Sequence, residues 1–267
     1  MSKLCLKILD AENKTIALGR GENEANLVFS HEYKEGDKII LETSEKGIYV
    51  WLQFDDALGK SMVYLTGNVT YYIPFGEKRI NLSPKAFWGR KHLISVKMAK
   101  EFEIAAYRNL AVNVCDQHEI ENLYPHAVAN VETRGESVFA AQNAIDGITV
   151  TDCHGEWPYE SWGINMQDDA KIRIDFGRKV ISDRIILYTR ADFPHDNWWH
   201  KVSFSFSDGS SIEMEMEKSA KPHEITFEEK QITWLEMYDM KKSDEPSPFP
   251  ALTQIEVYGK EVKELWS

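Results

Sequence analysis

The feature that most constrains this chain is its punctuation. Short runs alternate apolar with polar residues, and each run soon meets a Gly, Asn, Asp or Pro. A period of two puts every second side chain on one face of a strand, whereas a helix needs apolar residues three and four apart. Residues 4–9 alternate, residues 38–42 follow the turn Glu35-Gly36-Asp37, and residues 47–54 (GIYVWLQF) are rich in β-branched and aromatic side chains. Residues 62–66 and 69–74 flank Gly67-Asn68, a hairpin dipeptide, and residues 92–97 alternate again. The pattern returns over 171–176, 181–189, 201–207, 211–216, 224–227, 232–237 and 252–258, with Asp208-Gly209 turning one hairpin. One short helix is expected over 99–109, where Phe102, Ala105, Ala106 and Leu110 recur.

This spacing predicts an all-β protein of sandwich or jelly-roll domains. At 267 residues the chain is too long for one small sandwich and suits two in tandem. The polar stretch 113–124 follows neither period and runs into Pro125, which disfavours helix before it. It sets the expected boundary, with an N-terminal β-sandwich over 1–110 and a second over 111–267. The connector is short and not Gly/Ser-rich, so the two domains are expected to touch.

Charge narrows the function. Asp and Glu number 43 against 31 Lys and Arg, for a net charge of −12. Nucleic-acid binding needs a basic footprint and anionic membranes attract basic segments, so neither partner is expected. The three cysteines, Cys5, Cys115 and Cys153, are too few and odd for a disulfide framework and suit a reducing compartment. The first residues carry no apolar leader, and no run approaches the ~20 apolar residues of a membrane helix. A cytoplasmic protein is the plain expectation.

The C-terminal half carries five motifs in order. Asn143-Ala144-Ile145-Asp146-Gly147 precedes an aromatic loop over 154–162; IRIDFG spans 172–177, IILYTR spans 185–190, FSFSDG spans 204–209 and IEVYG spans 255–259. Together they resemble the discoidin, or galactose-binding-like, family over roughly residues 125–260. The resemblance implies a galactose-binding-like β-sandwich, and in that family the matching turn and a closing-strand glutamate hold a structural calcium. Carried to this sequence, that implies Asp146 and Glu256, with Thr151 nearby, as ligands for a hard cation. The alternative is that Asp146 caps a turn and Glu256 is a solvated strand residue.

The same half concentrates rings in loops. Trp157, Tyr159, Trp162, Phe193, Trp198, Trp199 and Phe249 lie outside alternating runs, where rings make recognition surfaces for the C–H faces of sugars. Polar partners stand beside them. The resemblance implies Arg190 as the main anchor, with Asn197, His154 and Phe249 or Trp199 as looser matches; Trp157, Asp192 and His195 complete the expected ligand-binding set. Loops 154–162, 190–200 and 246–250 are expected to converge at one end of the sandwich. The alternative is structural, with tryptophans plugging the sandwich and Arg190 paired to Asp192.

Catalytic signals are weaker. His118, His126, His154, His195 and His200 show no zinc-motif spacing, and Cys153 beside His154 is adjacency rather than a dyad. Asp192 and Asp196 form a carboxylate pair of the kind glycosidases use, but any acidic protein offers such pairs. The leading expectation is non-catalytic recognition of a carbohydrate or similar polyol by the second domain. The rivals are a glycan hydrolase using His154, Arg190, Asp192 and His195, and a protein-binding adaptor docking through its rings.

Overall fold

The computed structural model describes residues 1–152 and 157–262, and the fold is all-β. The first half contains β1 (Lys3–Leu9), β2 (Thr15–Glu22), β3 (Glu24–Phe29), β4 (Lys38–Thr43), β5 (Ile48–Gln53), β6 (Ser61–Leu65), β7 (Val69–Tyr72) and β8 (His92–Met98). A single helical turn, α1 (Glu101–Ile104), then leads to β9 (Arg108–Asn109), β10 (Leu123–Tyr124) and β11 (His126–Ala129). The second half contains β12 (Trp162–Gly163), β13 (Ile172–Thr189), β14 (Trp199–Phe206), β15 (Ser211–Glu215), β16 (His223–Lys242) and β17 (Ala251–Glu261).

The first sandwich has a four-stranded sheet, β2-β1-β4-β7, and a five-stranded sheet, β10-β6-β5-β8-β3. Alternation does the work. Leu4, Leu6 and Ile8 of β1 and Ile39 and Leu41 of β4 enter one core with Val50 and Leu52 of β5 and Ile94 and Val96 of β8. Neither β2 nor β3 is among the runs expected from the sequence; β3 nevertheless buries Ala25, Leu27 and Phe29 in alternation, whereas β2 reads TIALGRGE and buries no side chain fully. Its glycines have a steric role: a Cβ on Gly19 would lie 2.4 Å from the Asn26 carbonyl oxygen, and one on Gly21 1.9 Å from that of Glu24. Bare Cα atoms let the chain fold tightly back on itself where it passes from one sheet to the other.

The second sandwich is built on two long strands, each of which spans two of the alternating runs. Strand β13 pairs with β11 through its first half, with β17 through its second half, and with β16 on both sides of a register break between Asp175 and Val180. Gly177 sits in that break at φ +65°, and a Cβ there would meet the Tyr124 ring at 2.4 Å. Ile172 and Ile174 before the break, Phe176 within it and Ile185 and Leu187 after it share one core with Phe204, Leu235, Ile255 and Val257.

Two expectations need correction. The helix over 99–109 is one turn, because Phe102 is 70% exposed and no apolar face is available to bury. The boundary at 110/111 is interlaced rather than single. Arg108 and Asn109 pair with β17, and Leu110 and Ala111 lie in the second core; Cys115, Ile120 and Leu123 then return to the first core before the chain leaves for good. The returning stretch has no periodicity because its anchors are side-chain bonds. Asn113 caps the Cys115 N–H and donates to the Pro125 carbonyl, while buried Asp116 takes His126 Nδ1 at 2.7 Å and the Ala127 N–H at 2.9 Å.

The sandwiches touch through a charged clamp. Glu261 receives Arg178 at 2.7 Å, Arg108 at 2.6 Å and the Tyr49 hydroxyl at 2.7 Å. The Arg178 guanidinium lies over the rings of Tyr49 and Tyr64, at 5.2 and 5.3 Å. Burial pushes the Glu261 carboxyl up, but its bonds to Arg178 and the charges of both arginines override this and hold it below the usual carboxylate range. A second link joins Asn81 to Asn143, both buried, at 2.9 Å.

Candidate functional site

The loop ends of the second sandwich meet at its rim. Arg190 directly follows β13, and its backbone N–H donates to the carbonyl of Ala251 at the start of β17. Asn197 is fully buried, and its amide donates to the carbonyls of Ser243, Glu245 and Ser247, while the Ser247 hydroxyl donates to the His195 carbonyl. Loops 190–200 and 246–250 are thereby sewn together. Tyr159 brings in the loop after Trp157, since its ring lies 4.5 Å beneath the Arg190 guanidinium.

Asp196 is the hub, a residue that sequence reasoning considered only as half of a carboxylate pair. It is fully buried and accepts Arg190 Nε at 2.8 Å, Arg190 Nη2 at 2.6 Å, His195 Nδ1 at 3.1 Å and the Asp192 N–H at 2.9 Å. The structural pair therefore joins Arg190 to Asp196, not to Asp192. Asp192 stood nearer in sequence, and spacing alone offered no means of choosing between the two. Arg190 is 3% exposed and is sandwiched by Tyr159 and Phe139, and its Nη1 is buried without a hydrogen-bond partner. Burial pushes the Tyr159 hydroxyl up to about 12, against the opposing pull of Arg190.

The remaining expected site residues divide by exposure. Trp199 is 0% exposed and Asn197 fully buried, so neither offers a face to a ligand; Trp199 belongs to the core because β14 turns it inward. Trp157 and Phe249 are 37% and 39% exposed, and the His195 side chain is 43% exposed. Asp192 is exposed as well. The rings of His195 and Phe249 stack nearly parallel, 5.8 Å apart at 17°. His154 lies outside the described residues. The rim is thus a pair of stacked rings with Asp192 beside His195 in the chain, standing on a buried Arg190–Asp196 base. Both Asp196 oxygens are engaged, so the Asp192/Asp196 pair is not arranged for general acid–base work.

The expected cation ligands do not all come together. The Asp146 carboxylate caps the Ile148 N–H at 2.8 Å, and the closing strand reaches this turn through Gln254, whose amide oxygen accepts the Gly147 N–H at 3.1 Å. Glu256 sits half-buried by Tyr258 and Tyr188, and burial raises its carboxyl. Thr151 makes no hydrogen bond among the described residues. The carboxylate that does act on Asp146 is Glu160. Burial, then the Glu160 charge, pushes the Asp146 carboxyl well above the usual range, and burial pushes Glu160 up to about 7. One Glu160 carboxylate oxygen is buried without a partner. Both carboxyls are buried and held in the direction of their neutral forms, and oxygen donors of this kind are what a hard cation takes. Among the described residues no three His, Cys, Asp or Glu side chains converge, so such an ion would also draw on backbone or amide oxygens. Among the described residues three histidines take separate carboxylate partners: His118 bonds Glu132, His126 bonds Asp116 and His195 bonds Asp196.

Among the described residues no helix is long and apolar enough to cross a membrane. No family model matches the chain, and no curated protein matches it. Solved structures do. A chitosan-binding module of a Paenibacillus sp. chitosanase/glucanase is 19% identical, with TM-score 0.40, covering 58% of this chain and 100% of that one. The family 32 carbohydrate-binding module of Clostridium perfringens NanJ, in complex with galactose, is 18% identical, with TM-score 0.38, covering 49% of this chain and 91% of that one. A fucose-binding module of Streptococcus pneumoniae is 14% identical, with TM-score 0.42, covering 57% of this chain and 98% of that one.

Proposed function

We propose that the second sandwich is a non-catalytic carbohydrate-binding domain that takes its ligand on the rim formed by loops 157–162, 190–200 and 246–250. The exposed, stacked His195–Phe249 ring pair carries this reading. Sugars offer C–H faces to such rings and hydroxyls to the polar groups around them. Asp192 and His195 supply acceptor and donor at the surface. Arg190 and Asp196 hold the platform in place from beneath. The test is a glycan array read with the parent chain and with Phe249→Ala, His195→Ala and Trp157→Ala, each with and without calcium. Phe249→Ala should weaken retention about tenfold, the loss of one stacked ring face being worth ~1 kcal/mol or more. Retention unchanged in all three variants would overturn the reading.

We also propose that one hard cation, calcium by the chemistry of its donors, binds between Asp146 and Glu160. Its role is structural: it neutralises the buried pair and fixes the turn that Gln254 grips. Calcium should raise the melting temperature of the parent and leave Asp146→Asn unchanged, since a ligand specific to the folded state stabilises only where its site survives. An equal shift in both would rule the site out.

A further inference from the structure

The first sandwich has an outer face that nothing above uses. Its register lays side chains out in rows: Glu24 opposite Lys97 and Lys97 opposite Trp51, then Asn26 opposite Ser95 and Ser95 opposite Gln53. Tyr49 and Tyr64, on the same sheet, are engaged by Arg178 of the second sandwich. Trp51 is left half-buried as the floor of an open cleft of about 300 Å³, with Lys60 of the β5–β6 connection and Lys100 and Glu103 at α1 among its walls.

The charges of this cleft are unusual for the chain. In a protein of net charge −12 it gathers Lys60, Lys97 and Lys100. Glu24 is spent on Lys97 at 3.1 Å, and Glu103 turns back to accept the Lys100 backbone N–H at 2.8 Å. Among the described residues neither Lys60 nor Lys100 has a carboxylate partner; the Lys100 ammonium lies 5.8 Å from the Phe102 ring instead. Two ammonium groups without a carboxylate contact therefore share the cleft with Trp51, with Ser95 on the neighbouring β8 and Asn26, whose amide donates to Glu24 at 3.1 Å, opposite Ser95 on β3. Ser95 stands about 7–8 Å diagonally from Trp51 and Asn26 about 5 Å beyond Ser95, so the polar groups reach past a ring seated on the tryptophan.

We propose that this cleft is a second binding site, for a saccharide bearing a carboxylate. A sugar ring lies on Trp51, Ser95 and Asn26 meet hydroxyls further along the saccharide, and Lys60 and Lys100 hold the carboxylate. The site is separate from the rim of the second sandwich and does not depend on that rim binding anything.

The experiment is an array of uronate-containing and sialylated glycans, each printed beside its neutral counterpart, probed with the full chain. An acidic glycan should be retained about tenfold or more above its neutral counterpart. Lys60→Glu, a surface change that leaves the core alone, should abolish that difference, and Trp51→Ala should likewise remove the excess retention of the acidic glycan. Phe249→Ala, at the other site, should leave the excess of acidic over neutral retention in place, whatever it does to retention at the rim. If no acidic glycan is preferred, or if the preference survives Lys60→Glu in a chain that melts like the parent, the proposal fails. A preference lost with Phe249→Ala instead would move the acidic ligand to the rim and overturn it equally.

Discussion

Replacing Arg190 by Ala separates a structural base from a ligand anchor. The guanidinium is 3% exposed and donates twice to Asp196, which is itself fully buried. Among the described residues, removing it leaves that carboxylate with the Asp192 N–H and His195 as partners. Breaking a buried pair from one side costs about 3–5 kcal/mol, because the surviving charge is left uncompensated in a poorly solvated site. The stacking of Arg190 on Tyr159 at 4.5 Å adds to the loss, by ~0.5–2 kcal/mol at most. For a domain of this size each kcal/mol moves the melting temperature by about 2–4 °C, so a fall of roughly 6–20 °C is expected. The assay is urea denaturation of the parent, Arg190→Ala, Asp196→Asn and the double variant. Asp196→Asn removes the orphaned charge, so the double variant should be clearly more stable than the sum of the singles, with a coupling of about 2 kcal/mol or more. A cost below about 1 kcal/mol for Arg190→Ala, or additive singles, would refute the argument that this pair is buried and mutually compensating.

Glu160 makes stability depend on pH. Its carboxyl is held at about 7 against an ordinary 4.5, so the folded state keeps a proton that the unfolded chain has lost. Without calcium, stability is fully present below pH 4.5 and falls as pH rises to about 7, by roughly 3 kcal/mol at the limit; Glu160→Gln should flatten that slope in pH-dependent melting. Glu261→Ala orphans two largely buried arginines and should cost about 3–5 kcal/mol, with scanning calorimetry resolving two transitions where the parent shows more nearly one. Trp199→Ala opens a cavity in the second core and should cost about 3–5 kcal/mol while the surviving folded fraction binds glycan like the parent; impaired binding by that fraction would place Trp199 at the site after all. Gly177→Ala should destabilise by forcing a side chain into a left-handed backbone and against Tyr124, read by the same denaturation series.

Alternation carried most of the architecture, because a strand with one buried face writes its register into the sequence: Leu4, Leu6 and Ile8 declare β1 without help. It missed β2, where glycines and polar residues serve backbone approach rather than burial. It also split β13 and β16, since the bend at Gly177 breaks the pattern without ending the strand. The convergence of the loops was legible from topology. The roles within them were not, because a buried arginine and an exposed one are the same letter. Only Asp196, four bonds deep in donors, decides that Arg190 supports the rim from beneath. Gln254 shows the converse, a neutral amide reaching the turn where a nearby glutamate looked the better candidate.

The Glu261 clamp bears on how the chain would read a surface rather than a single sugar. Two binding faces joined by a flexible tether gain from each other over a broad range of ligand spacings, at an effective concentration set by the tether. Here Tyr49, Arg108 and Arg178 close on one carboxylate, so the angle between the sandwiches belongs to the fold itself. Were both proposed faces to bind, avidity would become a ruler, high for a polymer whose epitopes repeat at the fixed separation and absent for the same sugars spaced otherwise.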